Sequence, residues 1–143
     1  MKAEPRAIGS GHRIVFSFNT TVTSAGTATA TDANGVSIGP VTATLAPDAS
    51  EVIVPLPAIA DASRLTVTLS NVNNSGGGTI ALGFLVGDVS SDRLVSSGDI
   101  SAVKSQSAQA TTAANFKFDL NASGSVSAAD IAAVKARLNL QLP

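Results

Sequence analysis

Residues 88–104 read Asp88-Val-Ser-Ser-Asp-Arg-Leu-Val-Ser-Ser-Gly-Asp-Ile-Ser-Ala-Val-Lys104, and the pattern returns 31 positions later as Asp119-Leu-Asn-Ala-Ser-Gly-Ser-Val-Ser-Ala-Ala-Asp-Ile-Ala-Ala-Val-Lys135. Each copy places oxygen-bearing side chains at the first, third, fifth, ninth and twelfth positions of a twelve-residue loop. This spacing is typical of the ligands of a calcium loop. The duplication therefore predicts two metal sites and favours metal-organised binding over catalysis. The alternative is that Asp99 and Asp130 only cap the N-termini of the helices and that the other acidic residues are solvated turn residues.

A helical pattern follows each loop. In the second copy, Ile131, Val134 and Leu138 recur at i, i+3 and i+7, the spacing of one helix face. A full EF-hand would also have a long helix before the loop, but residues 79–86 alternate like a strand and residues 115–118 are too few for several turns. The sequence thus predicts the exiting half of the motif, repeated.

A duplicated loop and helix with hydrophobic residues just before each loop resembles the dockerin domain of bacterial cellulosome proteins. The resemblance spans residues 85–139. The stretches that carry it are Leu85-Val-Gly-Asp88 and Asn115-Phe-Lys-Phe-Asp119 before the loops, and Asp99-Ile-Ser-Ala-Val-Lys104 and Asp130-Ile-Ala-Ala-Val-Lys135 at the helix starts.

The resemblance implies two Ca²⁺ ions, one in each loop. The first ion would be held by Asp88, Ser90, Asp92, the backbone carbonyl of Leu94, a water on Ser96, and Asp99. The second would be held by Asp119, Asn121, Ser123, the carbonyl of Ser125, a water on Ser127, and Asp130.

Both loops depart from the family pattern. The sixth position favours Gly, but the first loop has Arg93, and a non-Gly residue in a left-handed conformation costs about 1 to 2 kcal/mol. The second loop keeps Gly124 but has neutral Ser123 where the family usually has Asp or Asn. Since affinity follows the number of carboxylates, we expect weak sites, with Kd roughly 10⁻⁴ to 10⁻³ M.

Dockerins bind a cohesin domain through the exposed faces of their two helices. The residues at the matching positions, the implied partner-binding set, are Ser97, Gly98 and Lys104 in the first copy and Ala128, Ala129, Lys135 and also Arg137 in the second. The two faces differ in sequence, which predicts one preferred orientation on the partner. The alternative is that the basic residues only solubilise the helix surface and favour its C-terminus.

The first half of the chain predicts short strands. Ile14, Phe16 and Phe18 fall on one face of a strand, with residues 15, 17 and 19 on the other, and Asn34-Gly35 predicts a type I′ hairpin turn. The prolines place residues 52–56 at a sheet edge or end the strand early. The other predicted strands are residues 27–31, 41–45, 65–69 and 80–86.

These elements predict two modules, an N-terminal all-β immunoglobulin-like sandwich and a C-terminal all-α dockerin-like module. We expect residues 1–9 to be a disordered tail, residues 10–86 the sandwich and residues 87–143 the calcium-binding module. The sandwich resembles bacterial Ig-like modules of secreted and cell-surface proteins, on the runs Ile14–Val22 and Asp61–Leu69.

Composition excludes several classes of function. Nine Lys and Arg balance ten Asp and Glu, so nothing favours nucleic acid or an anionic membrane. Without Cys there are no disulfides or thiolate zinc sites, and His12 is the only histidine, so no catalytic constellation forms.

We therefore predict a non-enzymatic, calcium-dependent binding module that anchors a secreted, polysaccharide-degrading or cell-surface protein to a cohesin-bearing partner. We expect it to be extracellular, and a monomer when free. The alternative is a calcium-stabilised structural module of such a protein that has no cohesin partner.

Overall fold

Seven strands form two sheets in the part of the chain that the computed structural model describes, residues 2–7 and 11–143. One sheet has the order β1-β7-β6-β3 and the other the order β2-β5-β4. The strands are β1 Lys2–Glu4, β2 Arg13–Ser17, β3 Thr27–Asp32, β4 Thr44–Leu45, β5 Glu51–Pro55, β6 Ser63–Val72 and β7 Gly76–Phe84.

The described residues divide into two compact units. Residues 11–59 and 65–81 form the strand unit, and residues 2–7, 60–64 and 82–143 form the loop unit. Two of the boundaries between the units lie within strands, one in β6 after Arg64 and one in β7 after Ala81.

Alternating burial explains the strand unit. In β6, the side chains of Leu65, Val67 and Leu69 are buried while the residues between them are half-buried, and β6 pairs antiparallel with β3. Val52 and Val54 of β5 are fully buried. Of the two alternatives for residues 52–56, the edge position is wrong, because β5 is the central strand of its sheet; the early end is confirmed, since β5 ends at Pro55.

The turn after β3 also differs from the prediction. A type I′ turn needs positive φ at both central residues; Gly35 has φ +80°, but the φ of Asn34 is not positive. The Asp32 carboxylate accepts hydrogen bonds from the backbone N–H groups of Asn34 and Val36, each at 2.8 Å. The side chain of Asp32 therefore fixes this turn in place of the predicted backbone geometry.

The predicted all-α C-terminal module is wrong. After β7 the described chain contains two short α-helices, α1 Ser97–Ser105 and α2 Ala128–Lys135, and a 3₁₀ helix at Phe116–Phe118. Left-handed residues follow both α-helices, Ala108 at φ +65° and Asn139 at φ +68°. They turn the chain into extended segments that pair with the loops, so the helices stop early and the protein as a whole is mostly β.

The region before Asp88 is β-rich, as predicted, but its immunoglobulin-like assignment is not confirmed. Within the predicted tail, Lys2–Glu4 form β1, which pairs parallel with β7 from Leu82 to Phe84. Residues 1, 8 and 9 of that predicted tail lie outside the described residues. In the described chain, no helix has the length and apolar character needed to cross a membrane.

The core of the loop unit lies between the two loops and their helices. It consists of small branched residues, as the scarcity of aromatic residues predicts. Its buried members are Leu85, Val86, Val89, Val95, Val103, Leu120, Val126, Val134 and Leu142.

Candidate metal centre

The two repeated loops have the same backbone conformation. The fourth and sixth positions are left-handed in both: Ser91 and Arg93 have φ +63° and +77°, and Ala122 and Gly124 have φ +54° and +93°. Left-handed residues turn the chain sharply, and only Gly adopts this conformation without a steric cost. Arg93 therefore carries the strain that the sequence predicts at the sixth position.

In the first loop, the first-position carboxylate gathers backbone N–H groups. Asp88 Oδ1 accepts from the Ser90 hydroxyl and the Asp92 N–H, both at 3.1 Å, and Asp88 Oδ2 accepts from the Arg93 N–H at 2.9 Å. Asp92, at the fifth position, is exposed and accepts from the Leu94 N–H at 3.0 Å. The main chain of the loop is thus wrapped around Asp88.

The twelfth residue of the first loop has two roles. Asp99 and Ser96 form a capping box at the start of α1, in which Asp99 Oδ2 accepts from the Ser96 N–H at 2.9 Å. Asp99 Oδ1 accepts from the Ser90 N–H, also at 2.9 Å. Capping is therefore one function of Asp99, and the same carboxylate also ties the end of the loop to its beginning.

The second loop repeats this arrangement. Asp119 Oδ1 accepts from the Ser123 N–H at 2.9 Å, and Asp119 Oδ2 from the Gly124 N–H at 2.8 Å. Asp130 forms a capping box with Ser127. The other oxygen of Asp130 accepts from the backbone of Leu120 and Asn121.

These four first- and twelfth-position carboxylates are buried, with 0 to 2% of each residue exposed. Among the described residues the salt bridges join other groups, Arg6 to Glu4 and Arg137 to Asp61. Buried carboxylates are costly unless a positive charge compensates them. The excess negative charge and the oxygen-only donors, which are carboxylate, hydroxyl, amide and carbonyl groups, suit a hard cation such as Ca²⁺.

The electrostatic surroundings of the two first-position residues differ. Burial raises the pKa of Asp88, and the negative charge of Asp99 acts in the same direction, against the hydrogen bonds that Asp88 accepts. Burial also acts to raise the pKa of Asp119, but hydrogen bonds from Thr111, Gly124 and Ser123 outweigh it and lower that pKa.

The predicted ligands are near one another along each loop, but their side chains face the backbone. No group of three or more His, Cys, Asp or Glu within the described chain is arranged to hold a metal ion. The structure brings Asp88 and Asp99 together through Ser90, and leaves Asp92 facing Leu94. The remaining predicted ligands Asn121, Ser123 and Ser125 are exposed, and Ser96 and Ser127 are half-buried caps.

The predicted partner-binding residues fall into two groups. Arg137 is engaged within the loop unit, because its Nε donates to Asp61 Oδ2 at 2.8 Å and its Nη1 to the Ala133 carbonyl at 3.2 Å. The other six residues are exposed. Four of them lie in the first turns of the helices, Ser97 and Gly98 in α1 and Ala128 and Ala129 in α2, and the other two are Lys104 and Lys135.

Sequence reasoning missed several residues that support the loops. The Thr111 hydroxyl donates to Asp119 Oδ2 at 2.8 Å, and Lys117 Nζ donates to the Val89 carbonyl at 2.9 Å. The Asp61 carboxylate accepts the Val86 N–H at 2.8 Å. All three contacts join residues at least 8 positions apart in the sequence, and no local pattern predicts them.

Comparison with protein families supports the assignment of the two repeats to the dockerin class. A family model of the dockerin type I domain matches residues 86–139, which contain both loops and both α-helices. Comparison with curated proteins finds no match for the chain. Dockerin domains are non-catalytic, calcium-dependent modules that bind cohesins and typically occur in extracellular proteins.

Proposed function

We propose that residues 86–139 form a calcium-dependent binding module that attaches the chain to a cohesin domain, and that the attached protein is secreted or located at the cell surface. The observation that carries the proposal is the pair of loops with the same conformation and with buried carboxylates that form no salt bridge with any residue the structure describes. The family match to the same residues supports the proposal independently.

Two Ca²⁺ ions would be held by the oxygens of the two loops. Asp88 and Asp99 would supply charge in the first loop, and Asp119 and Asp130 in the second, with the remaining ligands as the resemblance implies. Bound Ca²⁺ supplies the positive charge that the buried carboxylates lack. The residues of the chain supply the rest: they fix the loop backbone and begin each helix through a capping box.

The partner surface would be the exposed start of each helix together with its lysine. Ser97 and Gly98 give one face a hydroxyl and a bare backbone, while Ala128 and Ala129 give the other two methyl groups. Because the faces are chemically unequal, we expect one orientation on the partner to be preferred. Arg137 contributes to the fold of α2, since its guanidinium already pairs with Asp61.

Binding to a panel of cohesin domains, with Ca²⁺ and with chelator, tests this function. Asp99→Ala and Asp130→Ala should each weaken binding. Lys104→Glu and Lys135→Glu should weaken it unequally, and Arg13→Glu, an exposed residue outside the matched region, is the charge-reversal control. Binding that ignores both Ca²⁺ and the aspartate substitutions would refute the proposal.

A second candidate is a calcium-stabilised structural module without a cohesin partner. It is favoured by contacts within the loop unit, where the N-terminal segment, residues 2–7, bonds to the residues beside both loops. The Pro5 carbonyl accepts the Gly87 N–H at 2.9 Å, and the Ala7 N–H donates to the Leu120 carbonyl at 2.7 Å. Calcium-dependent stability combined with no binding to any cohesin would select this candidate.

A further inference from the structure

We propose that each calcium loop is positioned by the segment that follows the helix of the other repeat, and that the two loops therefore bind Ca²⁺ with positive coupling. This inference rests on the proposed calcium function. It concerns residues 108–111 and 139–142, which supply no predicted ligand.

The first loop is paired with the chain after α2. The Val95 N–H donates to the Leu140 carbonyl at 2.9 Å, and the Asn139 N–H donates to the Val95 carbonyl at 2.8 Å. The Leu142 N–H donates to the Arg93 carbonyl at 3.1 Å. The sixth and eighth positions of this loop are thus held by residues 139–142.

The second loop is paired in the same way with the chain after α1. The Val126 N–H donates to the Gln109 carbonyl, the Ala108 N–H to the Val126 carbonyl, and the Thr111 N–H to the Gly124 carbonyl, each at 2.9 Å. Every one of these bonds corresponds to a bond of the first loop after a shift of 31 positions. The pairing is therefore reciprocal: each loop bonds to the segment that follows the helix of the other repeat.

Reciprocal pairing closes a cycle of contacts. Loop 1 begins α1 through the Asp99 capping box, and the segment after α1 holds loop 2; loop 2 begins α2 through Asp130, and the segment after α2 holds loop 1. The helices also share the core through Val103 and Val134, both fully buried.

Such a cycle couples binding because ordering costs conformational entropy. An ion that orders one loop also orders its helix and the segment beyond it, and the other loop then binds with less entropy left to lose. Coupling of this kind is reciprocal, so each ion must change the affinity of the other loop by the same factor.

Calcium titration of the full chain by calorimetry, with the amide resonances of Gly98 and Gly124 as reporters of the two loops, tests the inference. In the wild-type protein both resonances should change over the same Ca²⁺ range, with a Hill coefficient above 1. Two separate midpoints with independent binding would overturn the coupling. Failure to bind any Ca²⁺ would instead reject the proposed function, and the coupling with it.

Isosteric variants measure the size of the coupling. Asp130→Asn should weaken Ca²⁺ binding to the first loop about fivefold or more, and Asp99→Asn should weaken Ca²⁺ binding to the second loop to a similar extent. Asparagine keeps an acceptor for the helix cap, and Asp48→Asn, in a turn of the strand unit, is the matched control. Affinities of the unsubstituted loop that stay within about twofold of wild type in both variants would overturn the inference.

Amide exchange tests the route of coupling separately from its size. In Asp99→Asn, Ca²⁺ bound to the second loop should still slow exchange of the Val95 N–H, because that group donates to Leu140. Exchange at Val95 that is unchanged by Ca²⁺ in this variant would show that the paired segment transmits nothing.

Discussion

The first loop, residues 88–99, and the second loop, residues 119–130, share a backbone and differ in charge. Both have left-handed fourth and sixth residues, a buried first carboxylate that gathers N–H groups, and a capping box at the twelfth residue. The fifth and sixth positions differ: the first loop has Asp92 and Arg93, and the second has Ser123 and Gly124.

Residues that fix the backbone of the loop therefore differ from residues that set its affinity for Ca²⁺. The shared residues are those whose side chains bond to the backbone or fill the core, such as the buried Val95 and Val126 at the eighth position. The residues that differ at the fifth and sixth positions are exposed, and the fifth changes the number of carboxylates from three to two. The conformation of the loop is therefore expected to survive changes that alter its affinity for Ca²⁺.

Removal of Ca²⁺ should have the largest effect, and it should destabilise the loop unit much more than the strand unit. At about 10 mM Ca²⁺, a hundred times a Kd of 10⁻⁴ M, each site adds about 2.7 kcal/mol to the free energy of unfolding, or about 5 kcal/mol for two. Chelation should therefore speed amide exchange across residues 88–139 far more than in β3 and β6. Equal exchange in the two units with and without chelator would contradict this expectation.

The repeated ligand spacing and the strand positions could be predicted from the sequence because they are local patterns. The capping boxes, the left-handed Arg93 and the alternating core of β6 all follow from residues within one turn or strand. These features fix the position and backbone of each loop.

The contacts that join the repeats could not be predicted in this way. The all-α prediction failed because residues 108–111 and 139–142 have no strand pattern of their own and become extended only by pairing with a distant loop. β1 was missed for the same reason, since its partner β7 lies some 80 residues away. Non-local hydrogen bonds leave little trace in a single sequence.

Substitution of the fifth-position residues should test whether their charge sets the affinity of each loop for Ca²⁺. Ser123→Asp gives the second loop a third carboxylate and should strengthen its Ca²⁺ binding about tenfold, or about 1.4 kcal/mol, and Asp92→Ser should weaken the first loop similarly. Residue-resolved calcium titration measures both. Ser123→Asn, which adds an oxygen ligand without charge, is the control; an equal gain from Asn and Asp would mean that charge is not the cause.

Exchange of the sixth-position residues should test the strain at Arg93. Arg93→Gly removes a left-handed penalty of about 1 to 2 kcal/mol but adds about 0.5 to 1 kcal/mol of backbone entropy to the unfolded chain, so we expect a net stabilisation of about 0.5 to 1 kcal/mol. Gly124→Ala should destabilise by a similar amount. Denaturant unfolding of the calcium-free protein measures both, and stabilisation by Gly124→Ala would contradict the strain argument.

The smallest effect should be the opposite pH dependence of the two first-position carboxylates in the calcium-free protein. The pKa of Asp88 is raised above its ordinary 3.8, mainly by burial, so its contribution to stability is full below pH 3.8 and is lost as pH rises through the folded pKa. The pKa of Asp119 is lowered, so its contribution is present above pH 3.8 and is lost as pH falls through the folded pKa.

Denaturant unfolding of Asp88→Asn and Asp119→Asn, each compared with wild type between about pH 3 and pH 7, should therefore give differences of opposite slope. Thr111→Val removes the hydroxyl that bonds to Asp119, so it should raise the pKa of that carboxyl and reduce the Asp119 slope alone. Residues 139–142, which follow α2 and pair with the first loop, have Leu142 at the position that corresponds to Thr111. Leucine has no hydroxyl to donate to a carboxylate. Slopes of the same sign in the two aspartate variants would contradict this prediction, because they would mean that folding shifts the pKa of Asp88 and the pKa of Asp119 in the same direction.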